Sequence, residues 1–130
     1  MVLSISKTFD FSASHILEGL PATHKCSRLH GHSYRVRVEI GGIPDEVGFI
    51  IDYGELEWIR NLIDVEIDHR HLNDVLPFNP TAENIASWLL GKAETWIDSR
   101  PERPRIESLA FAVSETQPTW ATASKQLSIN

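Results

Sequence analysis

Near its N-terminus the chain alternates between apolar and polar positions. In "SISKTFDFSASH", Ile5, Phe9, Phe11, Ala13 and His15 fall on one parity and Ser6, Thr8, Asp10, Ser12 and Ser14 on the other. That period of two predicts a strand with one buried face. "HGHSYRVRVEI" repeats the pattern, with His30, His32, Tyr34, Val36, Val38 and Ile40 on one face and Ser33, Arg35, Arg37 and Glu39 on the other. In both strands histidines continue the apolar stripe. The connection "ILEGLPATHKCSRL" holds Cys26 and is long for a plain turn, so a functional loop is expected there.

Turn residues Gly41, Gly42 and Pro44 follow, and "GFIIDY" predicts a short third strand near Phe49 to Asp52. Leu56, Ile59 and Ile63 recur at helical spacing and predict a helix from about Tyr53 to Asp64. A second helix from about Thr81 to Ile97 places Ile85, Trp88, Leu89, Ala93 and Trp96 on one face, and Asn79, Pro80 and Thr81 suit its start. Beyond the prolines of "SRPERPR", Leu109, Phe111, Val113 and Glu115 alternate with Ser108, Ala110, Ala112 and Ser114. The order strand, strand, short strand, two helices, strand predicts an α+β domain, an antiparallel sheet with helices on one side.

Composition narrows the class without naming a function. The 130 residues suit one domain, 1–130, and 42% apolar with 23% charged residues is ordinary globular composition. No apolar run is long enough for a membrane span. A net charge of −6 argues against nucleic acid as the main partner, and an anionic substrate would need a locally basic mouth. The N-terminus has neither the basic start nor the apolar stretch of a secretory signal. With a single cysteine as well, a reducing cytoplasm is the expected home.

The candidate chemistry sits on the strand ends. His30 and His32 are two apart on one strand and so project from the same face. If the first two strands pair as a hairpin, His15 lies beside them, and three imidazoles with a fourth position left open describe a catalytic zinc site. A lone histidine is usually a hydrogen-bonded core or surface residue; three on the buried parity at one sheet end point to a metal. The His-x-His pattern of cupins calls for an acidic ligand a few residues on, whereas Glu39 lies later and on the other face.

Cys26, between Lys25 and Arg28, is either a base or nucleophile activated by its cationic loop or an inert buried thiol. Asp68 and His69 are adjacent in "EIDHRHLND", which fits a functional pair or a helix cap. Glu115 either receives paired N–H donors of a heterocycle or is a solvated strand-end carboxylate.

These segments together resemble a known family. "FSASH", "CSRLHGH", "IDHRHLND", "NPTAEN" and "VSET" occur in the order and spacing of the 6-pyruvoyl-tetrahydropterin and 6-carboxy-tetrahydropterin synthases, from Phe9 to about Thr122. The resemblance implies a T-fold: four antiparallel strands and two helices, with subunits joining through their sheets into barrels, typically a homohexamer of two stacked trimers. It implies that His15, His30 and His32 bind Zn2+, that Cys26 is the catalytic thiol, and that Asp68 and His69 relay protons. Glu115 is then the anchor of the pterin ring, with Thr81 and Glu83 nearby, and Lys25 and Arg28 are candidates for a triphosphate. Family active sites lie between subunits, so one chain's Asp68–His69 pair would serve a neighbour's metal. The spacing Cys-x3-His-Gly-His resembles the bacterial carboxy-forming group rather than the Cys-x5-His-Gly-His of pyruvoyl-forming animal enzymes. That group converts 7,8-dihydroneopterin triphosphate to 6-carboxy-5,6,7,8-tetrahydropterin, acetaldehyde and triphosphate, on the route to queuosine and other 7-deazaguanines. Two segments depart from the family pattern: Phe49, where many relatives carry Trp, and the tail "QPTWATASKQLSIN".

Overall fold

The computed structural model describes residues 1–129. The two alternating segments become long strands, β1 (Ser4–His15) and β2 (His30–Gly42), paired antiparallel from Ser4 opposite Gly41 to His15 opposite His30. β4 (Ile106–Ser114) pairs with β2, and β5 (Ala121–Gln126) pairs with β4, both antiparallel. A two-residue strand, β3 (Arg70–His71), lies parallel to the end of β1, giving the order β3-β1-β2-β4-β5. Four antiparallel strands thus form the sheet proper, with a fifth short strand added at one edge.

Helices α1 (Glu57–Glu66) and α3 (Ala82–Asp98), with the single turn α2 (Leu72–Val75), complete the core. Phe9, Phe11, Tyr34, Val36, Val38, Ile40, Leu109, Phe111 and Val113 from the strands share one buried cluster with Ile59 and Ile63 of α1 and Ile85, Leu89, Ala93 and Ile97 of α3. At about 25 cal/mol per Å² this apolar burial is the main drive to fold, and it uses only one face of the sheet. Among the described residues, no helix is long and apolar enough to cross a membrane.

Helix boundaries follow local chemistry. Asp52 caps a 3-10 turn, Tyr53–Leu56, that leads into α1, and the Thr81 hydroxyl accepts from the Asn84 N–H at the start of α3. Trp88 and Trp96, expected on the core face, are only partly buried. They flank the helix, where Lys92 lies 5.6 Å over Trp88 and Arg100 lies 5.2 Å over Trp96. Cationic side chains cover the exposed parts of these rings.

The short strand expected near Phe49 to Asp52 does not form. The Asp45 carboxylate accepts from the N–H groups of Val47, Gly48 and Phe49, and Gly48 adopts φ +105°. Arg105 Nη1 donates to the carbonyls of Ile43, Phe49 and Ile50. Those groups are satisfied by side chains, and Ile50 and Ile51 are both buried, which strand alternation forbids for a one-sided sheet. The fourth antiparallel strand is instead β5, in the tail.

β2 ends in a bulge between Gly41 and Gly42. A Cβ on Gly42 would meet the Arg105 carbonyl oxygen and the Ile106 Cα, whereas one on Gly91, on the exposed side of α3, would meet nothing within 4 Å. Gly42→Ala is expected to cost about 1–3 kcal/mol in urea unfolding. Gly91→Ala is expected to add about 0.5–1 kcal/mol, because it removes only the entropic penalty of glycine in a helix. Equal effects at the two positions would mean that the bulge yields freely.

Candidate functional site

The β1–β2 register places His15 directly opposite His30, and His32 projects from the same face two residues on. One nitrogen from each of the three rings lies within 4.8 Å of the others. His15 is fully buried and the other two are partly so.

The tautomers of two rings are set by backbone carbonyls. His15 Nδ1 lies 2.8 Å from the Pro80 carbonyl oxygen, and His30 Nδ1 lies 2.6 Å from that of Arg28. A carbonyl oxygen only accepts, so both Nδ1 atoms carry the proton and both neutral rings present a lone pair at Nε2. Those two Nε2 atoms face each other at 2.9 Å, and His32 Nε2 is buried without a hydrogen-bond partner. Converging lone pairs repel unless a cation is shared among them. The donor set therefore fits a metal ion, with Pro80 and Arg28 as the outer partners that orient its ligands.

Burial lowers the pKa of His15, opposed in part by the Pro80 carbonyl and by Glu115. Burial also lowers that of His32, helped by His30. Both rings are held neutral, the form a metal requires. Tyr34 sits beneath them, fully buried, its ring stacked on Phe11 at 4.5 Å and its hydroxyl 3.2 Å from His15 Nδ1. Burial, and then the charge of Glu115, pushes the Tyr34 pKa well up, so the hydroxyl keeps its proton.

Glu115, one residue past β4, is 3.8 Å from His32 Nε2, too long for a hydrogen bond. Burial raises its pKa and the Glu83 charge raises it further, while His15 and the Ala82 N–H pull it down. Because burial moves Glu115 and His32 towards their neutral forms, the contact counts for little as an ion pair. Glu115 and Glu83 line a cavity of ≈ 250 Å³ with Ala82, Val113, Thr119 and Trp120. Thr81, its hydroxyl engaged as the α3 cap, stands just before this cavity.

Cys26 is partly buried in the 3-10 turn Lys25–Ser27, where the His24 ring accepts from its N–H. Its carbonyl accepts from the N–H of Leu17, two residues beyond His15, so the loop folds back onto the histidine end of β1. Lys25 and Arg28 are exposed, and Arg28 contributes to the trio through its carbonyl.

Asp68 and His69 lie at the outer edge of β1, where His69 lines an open cleft with Ser12, Ser14 and His32. The Asp68 Oδ1 accepts from the Ser12 N–H at 3.0 Å and from His69 Nδ1 at 2.9 Å, while the His69 N–H donates to the Ser12 carbonyl. The Ser12 N–H holds the Asp68 pKa below the usual carboxylate range, with His69 adding to the effect. His69 adopts φ +59°, a left-handed conformation uncommon for a non-glycine residue, and its side chain is 81% exposed. With Nδ1 donating to Asp68, its Nε2 makes no hydrogen bond among the described residues. Among the described residues this pair makes no hydrogen bond to the histidine trio.

Tyr34 and Pro80 were not singled out for the site by sequence pattern. Tyr34 reads as core because it shares the apolar parity, and Pro80 reads as a helix start because its contribution is a carbonyl.

An α+β protein with a three-imidazole centre at the end of a one-sided antiparallel sheet is the class that this geometry defines. Residues 4–126 match the family described as 6-pyruvoyl tetrahydropterin synthase, and the chain belongs to that family of enzymes. A putative 6-carboxy-5,6,7,8-tetrahydropterin synthase of Archaeoglobus fulgidus is 34% identical over 122 residues, 93% of each chain. A 6-carboxy-5,6,7,8-tetrahydropterin synthase of Synechocystis is 39% identical over 100 residues, 69% of this chain and 74% of its own. The 6-pyruvoyl tetrahydropterin synthase of Caenorhabditis elegans, at 23% identity, has the same fold over 97% of both chains with a TM-score of 0.77.

The metal-free protein should lose stability in acid in a defined window. The unfolded rings of His15 and His32 protonate near 6.5, while the folded rings resist until their lowered values. The unfolded state then binds more protons, so stability is full above that pH and declines as pH falls towards the folded values. Glu115, with a raised folded value, acts with the opposite sign nearer 4.5. Urea midpoints of chelator-treated protein between pH 7.5 and 5 check this, and the slope should be shallower in His32→Gln. A flat profile would mean that the rings are not held neutral by burial.

Proposed function

We propose that the protein is a zinc-dependent lyase that converts 7,8-dihydroneopterin triphosphate to 6-carboxy-5,6,7,8-tetrahydropterin, releasing acetaldehyde and triphosphate. The observation that carries this reading is the trio of imidazoles whose ring nitrogens converge beside the loop of Cys26. The relatives named for the carboxy-forming activity, one of them similar along nearly the whole chain, favour it over the pyruvoyl-forming reaction.

His15, His30 and His32 would hold the zinc. When bound there, zinc acidifies the side-chain hydroxyls of the dihydropterin by Lewis-acid polarisation. Glu115, as a carboxylate, accepts paired N–H donors of the pterin ring from the wall of its cavity, and those donors offset the burial that otherwise disfavours its charge. Glu83 lines that pocket, and Thr81 caps the helix that carries Glu83. Cys26 and the Asp68–His69 pair move protons on the carbons of the side chain: Asp68 fixes the His69 tautomer, and Nε2 receives the proton. Water supplies the second carboxylate oxygen, the bond between the first and second side-chain carbons breaks, and the third carbon loses triphosphate to become the methyl of acetaldehyde. The net two-electron oxidation of the three-carbon side chain equals the two-electron reduction of the ring, so no redox cofactor is needed. Lys25 and Arg28, exposed on the loop, are candidates for the triphosphate in a chain whose net charge is −6. The product suits a cytoplasmic route to 7-deazaguanines such as queuosine.

The exposed His69 ring, which makes no hydrogen bond to the trio among the described residues, supports an active site shared between subunits. The proposed assembly is a homohexamer of two stacked trimers, each closing its sheets into a barrel. The active site of each pocket then takes zinc and Cys26 from one chain and the Asp68–His69 pair from another.

Incubation of the zinc-loaded protein with 7,8-dihydroneopterin triphosphate, followed by mass spectrometry and an acetaldehyde trap, tests the reaction. Carboxy-tetrahydropterin with acetaldehyde supports it; a pyruvoyl product assigns the sister activity, and tight binding without turnover a pterin-binding oligomer. His30→Ala should lose zinc. Cys26→Ala should keep zinc and lose activity by about 100-fold or more, as expected for an acid–base group. Mixed oligomers of Cys26→Ala and His69→Ala, each inactive alone, should regain activity; failure of mixed, refolded oligomers to do so would place both groups in one chain's site.

A further inference from the structure

The segment just after His15 is held on both sides. Asn73, in α2, accepts from the Ile16 N–H at 2.8 Å through its Oδ1 and donates to the Ile16 carbonyl at 2.8 Å through its Nδ2. Asn79 does the same for Glu18, at 2.9 and 3.1 Å. Between them, the Leu17 N–H points the other way and donates to the Cys26 carbonyl at 2.9 Å. Residues 16–18 thus act as a short strand with two side-chain amides on one edge and the backbone of Cys26 on the other.

This arrangement replaces a ladder that stops. β3 pairs with β1 only at Ala13 and Ser14, and α2 then turns the chain away. A primary amide carries a donor and an acceptor at the spacing of a peptide group, so Asn73 and Asn79 continue the pairing where no backbone is available. Asn79 is itself anchored, because its carbonyl accepts from Asn84 Nδ2 and from the Thr81 N–H. The neighbouring Pro80 carbonyl fixes His15. Within "NPTAEN" each polar group has a separate task, and the first of them concerns the loop rather than the helix.

We infer that Asn73 and Asn79 are positioning residues for Cys26, registering its loop against the end of β1 through the 16–18 segment. The inference rests on the reading of Cys26 as the catalytic thiol only for its effect on turnover, because the clamp itself is a matter of where the thiol is held. The tip of the loop, residues 19–24, is exposed, while its two ends are tied. Such a loop admits substrate at the tip without letting the thiol drift from the histidine end.

Asn73→Asp and Asn79→Asp test this, since each keeps an acceptor for the backbone N–H and sets a carboxylate against a carbonyl oxygen. Four properties of the zinc-loaded variants are compared with the parent: zinc content, Cys26 alkylation by iodoacetamide, amide exchange at residues 16–18, and kcat with KM. Zinc content should hold. Alkylation rate and amide exchange should change by about tenfold, the scale set by loss of a neutral hydrogen bond with repulsion added. kcat should fall by about tenfold or more with KM nearly unchanged, as misplacement of a reacting group predicts. Altered alkylation with unaltered kcat supports the clamp and removes Cys26 from the chemistry. Unaltered alkylation and exchange overturn the clamp, and so does loss of zinc, which would assign both amides to the metal site. If either aspartate variant unfolds, Asn73→Ser and Asn79→Ser are read by the same measurements and the same outcomes decide. Rescue of the parent alkylation rate in Asn73→Gln or Asn79→Gln is not expected, because the longer side chain shifts the amide off the backbone it pairs with.

Discussion

The register of β1 against β2 is the constraint on which the site depends. Twelve pairs run from Ser4 opposite Gly41 to His15 opposite His30. A slip of one residue would send every side chain to the opposite face, removing the phenylalanines from the core and the histidines from one another together. The apolar cluster that drives folding therefore also sets the geometry of the histidine trio. Phe9 and Phe11 pack only in the register that brings His15 to His30. This coupling explains why reactive side chains lie on the buried parity: the same alternation that hides the core aims them at one point.

Placing three imidazoles at the edge of a core has an energetic cost, because each ring brings a polar nitrogen out of water. Two of the rings meet it locally with carbonyls of Pro80 and Arg28, groups that would otherwise need partners of their own. His32 does not, and its buried Nε2 stays without a hydrogen bond. A buried donor set left short by one partner is the expected signature of a centre completed by a cation. Tyr34 supports the trio from below, its ring held flat on Phe11 and its hydroxyl beside His15. Core packing and ligand orientation meet in that one residue.

The parts of this fold that strong periodicity governs were legible in the sequence: β1, β2, β4 and α3, the convergence of His15, His30 and His32, and the α+β arrangement. What escaped had local causes. β5 carries Ala121, Thr122, Ala123, Ser124, Lys125 and Gln126, small or polar residues on an edge strand with no apolar stripe to announce it. "GFIIDY" looks like a strand because of its β-branched residues, yet Asp45 and Arg105 satisfy its backbone and fold it as a loop. β3 has two residues, below any detectable period. The site's backbone partners are invisible in principle, since a carbonyl belongs to every residue and its role depends on where the chain passes.

The placement of Asp68 and His69 at the outer edge of β1 has a physical logic of its own. β1 meets β3 only at its last residues, so most of its outer edge has no strand partner. An open edge invites pairing with another chain. Here it is guarded in part by side chains, with Asp68 on the Ser12 N–H and Arg60 on the Asp10 carbonyl. The pair thus blunts the edge in the single chain and, in the proposed barrel, stands where a second sheet approaches. His69 reaches outward because its backbone is held left-handed against Ser12. On that reading the left-handed backbone at His69 serves the assembly: it turns the ring away from its own sheet and towards the neighbour proposed to supply the histidine trio and Cys26.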